Sequence, residues 1–484
     1  TLAGISAAIQ AARLGKSVVL ISQTAHVGGV ATAGLTATDM NRSTLIGGVA
    51  REFYQRIHDH YLQPSAWRVE VREDYFERSK KRTYTGKNDA LRMQWVYESH
   101  VAERILEVML REAGVTVVRR QRLAETLGAV TLKEGRILAI RMEGNAEFGE
   151  SLNGIRLGAV VGAGERSIDP WIRPGDPASG LLPYIDGRLW GRPGETDTRT
   201  QAYCYRLTLT DDPANRLPIT KPANFNPLWH EALVRMLQLA PETPLQKVIS
   251  LTPMPNRKTD TNQVNFIGAN RDYQTASYRE REKLDQMHRD FAVGMLWVLA
   301  NDERVPAPIR EEMKPWGWPK DEFTDNGNFP HQLYVREARR MRGAFVMKEE
   351  NLRRAGRVDA GHPVGIGSYA LDSHVVSRVL DEQGRVRNEG PLMVTQSIRP
   401  YPISYHALVP RAAECVNLLV PVCLSATHVA YTSIRMEPVY MVLGQSAGAA
   451  AALALDGDGK VQDVPYLRLR EILLKAGQIL EPIP

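Results

Sequence analysis

Residues 1–22 read TLAGISAAIQAARLGKSVVLIS and contain two adjoining elements. Small and apolar residues at helical spacing predict a helix over Leu2–Leu14, which Gly15 and Lys16 close. The apolar run Ser17–Ser22 predicts a short strand directly after it. The small side chains on one face of the helix decide the fold, because they let the helix lie close against a sheet.

This helix and strand have the spacing of a dinucleotide-binding βαβ unit. In that unit the third glycine of GxGxxG packs the helix on the sheet, and the pyrophosphate sits on the free N–H groups of the helix N-terminus. Gly4 takes the third-glycine position, and Ala8 lies on the small face. We expect the first strand and the first two glycines to precede Thr1. The sequence therefore predicts an α/β fold with a Rossmann-type domain; an ordinary Ala-rich helix that leads into a strand is the competing interpretation.

One position departs from the dinucleotide pattern. The second strand usually ends in an acidic residue that binds the adenosine ribose. Ser22 and Gln23 stand there instead, and they offer a hydrogen bond without the charge.

The composition is that of an ordinary globular protein. The chain has 484 residues, of which 43% are hydrophobic and 24% charged, so we expect two or three domains. The formal net charge is +6, and basic residues alternate with acidic ones, as in residues 336–340 (REARR). We interpret such runs first as solvated helix faces and second as an anion-binding surface. Nucleic acid is not an expected partner, and the absence of HxxxH or HExxH spacing gives no predicted metal site.

Further elements follow from periodicity and turn residues. The apolar stretch 439–455 is too short for a membrane span, so we expect a buried core helix there. The other predicted elements are helices over Val49–Tyr61, Leu91–Glu112, Tyr273–Leu299, Leu333–Asn351 and Val439–Ala454, strands over Val115–Val118 and Leu418–Val422, and a hairpin over Val130–Met142.

Two separated motifs resemble those of one protein family. The glycine-rich loop Thr24–Gly34 with residues 47–53 (GGVAREF), and the stretch 425–448, resemble the flavin motifs of a bacterial FAD-dependent oxidoreductase family. Some members are labelled xanthan lyase-like, and the family is distantly similar to succinate dehydrogenase and fumarate reductase flavoproteins. Residues 334–341 and 367–374 are similar too, so the resemblance covers most of the chain.

The resemblance implies a domain arrangement and a cofactor. It implies a glutathione-reductase-like FAD domain built from residues 1–163 and 330–484, the latter with a C-terminal helix, and an inserted α+β substrate domain over residues 164–329. The residues assigned to FAD are Gly4, Ala8, Ser22, Gln23, Gly28, Gly29, Thr32, Gly34, Gly444, Gln445, Ser446 and Gly448.

The same resemblance supplies candidate catalytic residues. His428 is the first choice for a base, since imidazole titrates near neutral pH. Arg435 is expected to bind an anionic group or to offset the charge of reduced flavin, with Glu437 to orient it. Tyr405 and His406 are weaker candidates for the substrate face. The remaining weaker candidates are Tyr369, His374, His362 and Arg336.

The expected activity is hydride transfer from a small hydroxylated substrate, including carbohydrate-derived ones, to flavin N5. A non-oxidative lyase or isomerase that keeps FAD, and a degenerate Rossmann binding protein without FAD, are the alternatives. The expected partners are that substrate and an electron acceptor. The family's strand near the flavin is interrupted after Met142, so we expect residues to be missing there and also before Thr1. Because a targeting segment would precede Thr1, a cytoplasmic and an exported location both stay open.

Overall fold

The structure is a computed structural model. It describes residues 1–80, 86–122, 132–133, 135–137, 150, 152, 154–189, 191–195, 198–353, 358–395 and 398–481. The predicted break after Met142 lies outside these residues.

Helices and strands are both abundant, which agrees with the predicted α/β class. In the described part of the chain the helices are α1 Leu2–Arg13, α2 Gly48–His60, α3 Arg72–Lys80, α4 Ser99–Glu112, α5 Leu228–Leu239, α6 Leu245–Val248, α7 Tyr278–Asn301, α8 Ala307–Met313, α9 Glu349–Leu352, α10 His428–Ile434, α11 Glu437–Asp456 and α12 Tyr466–Lys475.

The strands are short. They are β1 Val19–Ile21, β2 Lys87–Asn88, β3 Met93–Gln94, β4 Thr116–Val118, β5 Leu132–Lys133, β6 Arg136–Ile137, β7 Leu157–Val160, β8 Gly162–Ala163, β9 Arg166–Ser167, β10 Ile185–Asp186, β11 Leu207–Thr210, β12 Arg216–Leu217, β13 Ser250–Met254, β14 Lys258–Asn262, β15 Trp318–Pro319, β16 Pro363–Gly367, β17 Leu371–Ser373, β18 Ser377–Leu380, β19 Val386–Glu389, β20 Leu392–Val394 and β21 Tyr401–Ser404.

The first helix packs along α11, near the opposite end of the sequence. A Cβ on Gly444 would lie 2.1 Å from the Ala3 carbonyl oxygen, and one on Gly448 would lie 2.3 Å from that of Ala7. Both positions advance by four residues, so the two helices run in the same direction. The contact begins at the second residue of α1 and at the eighth residue of α11. Glycine is required at both contacts because the backbone of α1 fills the space of a side chain.

Gln445 holds three helices together from the same surface. Its Nε2 donates to Gln10 Oε1 at 2.8 Å, and its Oε1 accepts from the backbone N–H of Val49 at 2.9 Å. Ser446 Oγ donates to the Val364 carbonyl oxygen at 2.6 Å, which ties α11 to β16. These bonds satisfy polar groups in the core formed by both ends of the chain.

The first strand lies in a parallel pair. Val19, Leu20 and Ile21 of β1 align with Thr116–Val118 of β4, and α4 directly precedes β4. The predicted strands at both places are confirmed, as is the hairpin, of which β5 and β6 are described and pair antiparallel.

The middle of the chain has a separate hydrophobic core, and one shared β-sheet joins it to the other two parts of the chain. An antiparallel sheet of order β11-β14-β13 packs with α5, α7 and α8. A second sheet, of order β10-β18-β19-β7, takes strands from all three predicted parts of the chain. The division at residues 163 and 329 stays a prediction.

A buried lysine also joins the first and middle parts. Lys258 of β14 is 0% exposed, and its Nζ lies 2.7 Å from Glu98 Oε1, 2.8 Å from Asp321 Oδ2 and 3.0 Å from Glu322 Oε1. A buried ammonium needs such partners, because an unpaired charge in the interior costs several kcal/mol.

Three predicted elements differ in the structure. The helix predicted from Leu91 begins only at Ser99, because Met93 and Gln94 pair with Lys87 and Asn88 in a small hairpin. Residues 418–422 form no strand.

The helix predicted over Leu333–Asn351 is wrong except for the short α9, since most of this segment has no regular secondary structure apart from isolated bridge residues. The REARR run is therefore no solvated helix face: Arg336, Glu337 and Arg340 are buried at 1%, 2% and 7% exposure. Tertiary burial of these charges overrides their local helix propensity.

Among the described residues, α11 is the helix long and apolar enough to span a membrane, and 83% of its apolar window is buried inside the protein. This agrees with the predicted core helix.

Replacing Gly444 by Ala tests the close contact of α1 with α11. Alanine favours a helix over glycine by about 1 kcal/mol, but its methyl group here forces the helices apart, so we expect a net loss of about 2 kcal/mol in the free energy of unfolding. Gly457→Ala is the matched control, since the atom nearest to an added Cβ there, the Ala454 carbonyl oxygen, lies at an ordinary 3.6 Å. Equal stability of both variants in urea unfolding would contradict the packing account.

Candidate active site

The non-helical segment Tyr334–Arg340 contains charged side chains that are buried in the interior. The backbone N–H of Tyr334 donates to the Cys204 carbonyl oxygen at 2.9 Å, which fixes the segment beside the chain that enters β11. Arg336 and Glu337 then lie between the middle of the chain and the α10–α11 pair. Buried charges at such a junction are typical of functional sites.

His428 is held by a buried carboxylate. It opens α10, which the Thr427 side chain caps, and its Nδ1 lies 2.7 Å from Glu337 Oε1. The same oxygen accepts from Arg340 Nη1 at 2.6 Å. Burial by itself would raise the pKa of Glu337, but His428 and Arg340 lower it to about 2. The carboxylate therefore stays charged and orients the imidazole of His428, as an orienting group does for a general base.

Arg435 lies at the junction of α10 and α11. Its Nη1 donates to Tyr334 Oη at 3.0 Å, and its Nη2 donates to the carbonyl oxygen and Oδ2 of Asp372 at 2.9 and 3.1 Å. Asp372, rather than the predicted Glu437, is thus the carboxylate that orients Arg435. Burial raises the pKa of Asp372, while Arg435 opposes that rise.

Arg336 is a buried cation with neutral partners. It is 1% exposed, and it donates to the carbonyl oxygen of Ala202, to Cys204 Sγ and to Asn262 Oδ1 at 2.5, 3.1 and 3.2 Å. Its guanidinium also lies 4.8 Å from the ring centre of Tyr334.

Within the described residues, no carboxylate lies within 4.0 Å of the Arg336 nitrogens, and Nε of Arg336 and Nε of Arg435 have no hydrogen-bond partner. A buried cation whose hydrogen-bond partners are all neutral favours an anionic ligand.

His374 and Gln201 connect the two groups of charges. Gln201 Nε2 donates to Glu337 Oε2 at 3.2 Å, and Gln201 Oε1 accepts from the backbone N–H of His374 at 3.1 Å. Burial, together with Arg336, Arg435 and Arg206, lowers the pKa of His374 well below its usual value. His374 is therefore neutral at physiological pH and belongs to the same buried polar layer as Arg435.

A cleft opens beside the first turn of α11. Its walls include Asp39, Tyr369, Met436 and Pro438. Burial, Asp39 and Asp372 raise the pKa of Tyr369, so its hydroxyl stays protonated. Asp39 and Tyr369 therefore line the cleft and also interact electrostatically with Asp372, which pairs with Arg435.

The remaining predicted catalytic residues have other surroundings. Tyr405 is buried, and its hydroxyl donates to the Val461 carbonyl oxygen at 2.6 Å. His406 Nε2 lies 3.1 Å from His362 Nδ1 near the surface. Glu437 is the first residue of α11, and burial raises its pKa to about 7. Catalytic roles for these residues stay predictions.

The residues predicted to contact FAD fall into two places. Gly444, Gln445 and Gly448 lie in the α1–α11 interface described above, and Ser446 faces β16. The others belong to α1, to the end of β1 or to the glycine loop. In α1 and after β1, Gly4 donates its N–H to Thr1 Oγ1, Ala8 is buried, Ser22 Oγ donates to the His26 carbonyl oxygen and Gln23 is exposed. In the loop, Gly28 and Gly29 have positive φ, Thr32 Oγ1 donates to the Val27 carbonyl oxygen, and Gly34 lies against the Arg206 carbonyl oxygen.

Residue-by-residue reading of the sequence missed several members of the site. Glu337, Asp372, Gln201 and Asn262 are far apart in the sequence, and each looks like an ordinary polar residue. The useful signal was the charged run 336–340, which we interpreted as a surface helix. The sequence of an irregular segment with buried charges shows the same spacing of charged residues as a surface helix, so the pattern does not distinguish the two.

Comparison with known proteins gives one match. A family model described as "FAD dependent oxidoreductase" matches residues 1–473 of the chain. No curated protein and no solved structure matches. The family implies an FAD cofactor.

The start of α1 fits a dinucleotide. Gly28 and Gly29 have φ values of 106° and 70°, and a Cβ on Gly29 would lie 3.3 Å from Thr1 Cα. The glycine loop therefore passes against the N-terminus of α1, where N–H groups and the helix dipole favour a phosphate. Helix α11 runs parallel to α1 and begins at Glu437, seven residues before its contact with Ala3 at Gly444.

Replacing Glu337 by Gln tests the buried pair with His428 and Arg340. We expect a loss of about 3 kcal/mol in the free energy of unfolding at pH 7, because the substitution removes the buried carboxylate that pairs with Arg340. The folded-state pKa is lowered from 4.5 to about 2, so the carboxylate stabilises the wild type above pH 4.5 and loses this effect as the pH falls toward 2.

Denaturant unfolding of both proteins across this range checks the expectation that the stability gap narrows on acidification. Glu414→Gln is the control, since the Glu414 side chain is 48% exposed in a surface pair with Arg411. A gap that is constant with pH would contradict the assignment.

Proposed function

Given that the chain belongs to the FAD-dependent oxidoreductase family and is an FAD-dependent enzyme, we propose that it oxidises a small hydroxylated substrate that carries an acidic group, such as a sugar acid. The observation that supports this most directly is the buried Arg336, which has an unpartnered Nε and no carboxylate partner among the described residues. An anionic substrate supplies the missing charge.

FAD would be held between the glycine loop and the two parallel helices. The backbone N–H groups around Gly28 and Gly29 suit the pyrophosphate, in a Rossmann-type arrangement that α1, β1 and β4 support. The first turn of α11 suits the pyrimidine end of the flavin ring, because a positive helix end stabilises negative charge there. Bound FAD supplies a two-electron acceptor that takes a hydride at N5.

His428 is the proposed base for the substrate hydroxyl. Its Nδ1 faces Glu337, so the proton on that nitrogen is fixed and Nε2 is the nitrogen that accepts the substrate proton. Glu337 stabilises the imidazolium that forms. General-base catalysis of this kind contributes a factor of about 100 to 10,000 in rate.

Arg435 and Arg336 are the proposed anion-binding residues. Tyr334 lies against both guanidinium groups, through its hydroxyl to Arg435 and through its ring to Arg336. Asp372 accepts a hydrogen bond from Arg435, whereas Arg336 donates only to neutral groups, so Arg336 is the cation assigned to the acidic group of the substrate. The substrate would therefore be held by its acidic group while its hydroxyl faces His428.

Anaerobic addition of hydroxy acids and sugar acids to the FAD-loaded protein tests the proposed reaction. The wild type is expected to lose its visible flavin absorbance as the substrate is oxidised. In His428→Gln the rate of this bleaching should fall by about 100-fold or more with unchanged FAD content, and its dependence on pH should disappear. His60→Gln, on α2, is the control and should reduce at the wild-type rate.

Conversion of a substrate without any change in flavin absorbance would instead favour the lyase or isomerase. Equal bleaching rates in His428→Gln and the wild type would remove His428 from the mechanism.

Replacing Arg336 by Met tests the acidic group of the substrate. We expect KM for the acidic substrate to rise by about 30-fold or more, the equivalent of about 2 kcal/mol lost from a buried charge contact. KM for the matching neutral alcohol or ester should stay within about twofold of the wild type. Equal effects on charged and neutral compounds would show that Arg336 has a structural role only.

A further inference from the structure

We propose that His26, His331 and Asp325 form a binding site for a divalent transition-metal ion of the Zn²⁺ class, at the contact between the glycine loop and the middle of the chain. The proposal is independent of the redox reaction.

The three side chains present ligand atoms at metal-binding spacing. His26 Nε2 lies 3.0 Å from Asp325 Oδ2, and His331 Nε2 lies 3.7 Å from Asp325 Oδ1. One ligand atom from each residue falls within 4.8 Å of the other two. Zinc bonds of about 2.0–2.1 Å in tetrahedral geometry separate ligand atoms by roughly 3.4 Å, which is close to these distances. The stacked rings of His26 and His331 would turn on binding so that both Nε2 lone pairs point at the ion.

A second carboxylate supports His26 from behind. His26 Nδ1 lies 3.1 Å from both carboxylate oxygens of Glu103, and Glu103 Oε1 also accepts from the Val27 backbone N–H at 3.0 Å. A metal-bound histidine usually has its other ring nitrogen on a carboxylate in this way, which fixes the tautomer and ring orientation. His26 thus has both the ligand position and the support that a metal site requires.

His331 and Asp325 complete an accessible site. The rings of His26 and His331 stack with their centres 3.6 Å apart, and Phe323 packs edge-on against His331 at 5.2 Å. The Asp325 side chain is 57% exposed, so an ion can enter from solvent and keep a water molecule as its fourth ligand.

A second group of potential ligands differs from this site because a lysine already neutralises its carboxylates. Glu98, His100 and Glu322 also lie within metal-binding distance of one another. There, however, the Lys258 ammonium bonds to both carboxylates at 2.7 and 3.0 Å and already provides the positive charge. Around His26, Asp325 and His331, no lysine or arginine among the described residues forms an ion pair with the two carboxylates, Asp325 and Glu103.

The position of the site gives the ion a structural effect. His26 lies two residues before Gly28 in the glycine loop. Asp325 and His331 lie on either side of residue 329, the predicted end of the middle part of the chain. A bound ion would cross-link these segments and stabilise the folded state in proportion to its occupancy.

Metal titration of untagged, FAD-loaded, EDTA-treated full-length protein tests the site. Calorimetry with Zn²⁺ should show one ion per chain, and Co²⁺ should give the visible bands of a low-coordinate nitrogen and oxygen site. His331→Gln should weaken binding by at least about 100-fold, and Glu103→Gln by about 10- to 100-fold. His60→Gln should bind as the wild type does.

Flavin absorbance and urea unfolding confirm that each variant is folded. If His26→Gln fails to fold, His331→Gln and Asp325→Asn still decide the outcome, since both residues lie outside the glycine loop. No binding to the wild type at millimolar Zn²⁺, or equal affinity in the wild type and His331→Gln, would overturn the proposal.

Discussion

The close contact of α1 with α11 is the constraint on which the rest of the structure depends. The carbonyl oxygens of Ala3 and Ala7 occupy the space where Gly444 and Gly448 would carry side chains. This contact joins residues separated by more than four hundred positions and sets the two helices in parallel register. Because both helices begin at the same end, the glycine loop, Glu437 and the cleft beside Met436 come together at one place.

The buried polar layer beside these helices accounts for the proposed chemistry. Glu337 pairs with His428 and Arg340, Asp372 pairs with Arg435, and Gln201 connects the two sets. Burying so many charges costs stability even when they are paired, so their presence in the interior indicates a functional requirement. Arg336 is the exception in having only neutral partners, and this imbalance leads to the proposal of an acidic substrate.

The sequence predicted the parts of the fold that depend on local patterns. The small-residue helix at Leu2, the strand at Val19 and the apolar helix from Val439 have periods and end signals that neighbouring residues determine. The segment from Leu333 was predicted wrongly, because helical spacing of charged residues looks the same whether those charges meet water or pair inside the protein. His428 and Arg435 followed from family resemblance, whereas Asp372, Gln201 and the pairing of His26 with His331 depend on contacts between residues far apart in the sequence. No local rule predicts such contacts.

The most direct test of the account is the visible absorption spectrum of the full-length protein purified with added FAD, before and after acid precipitation. The account predicts flavin bands that move entirely into the supernatant. Both ring nitrogens of His26, the histidine of the glycine loop, face carboxylates, which leaves neither for a covalent link. A protein that retains no flavin after reconstitution would contradict the assignment of the α1–α11 region as the cofactor site.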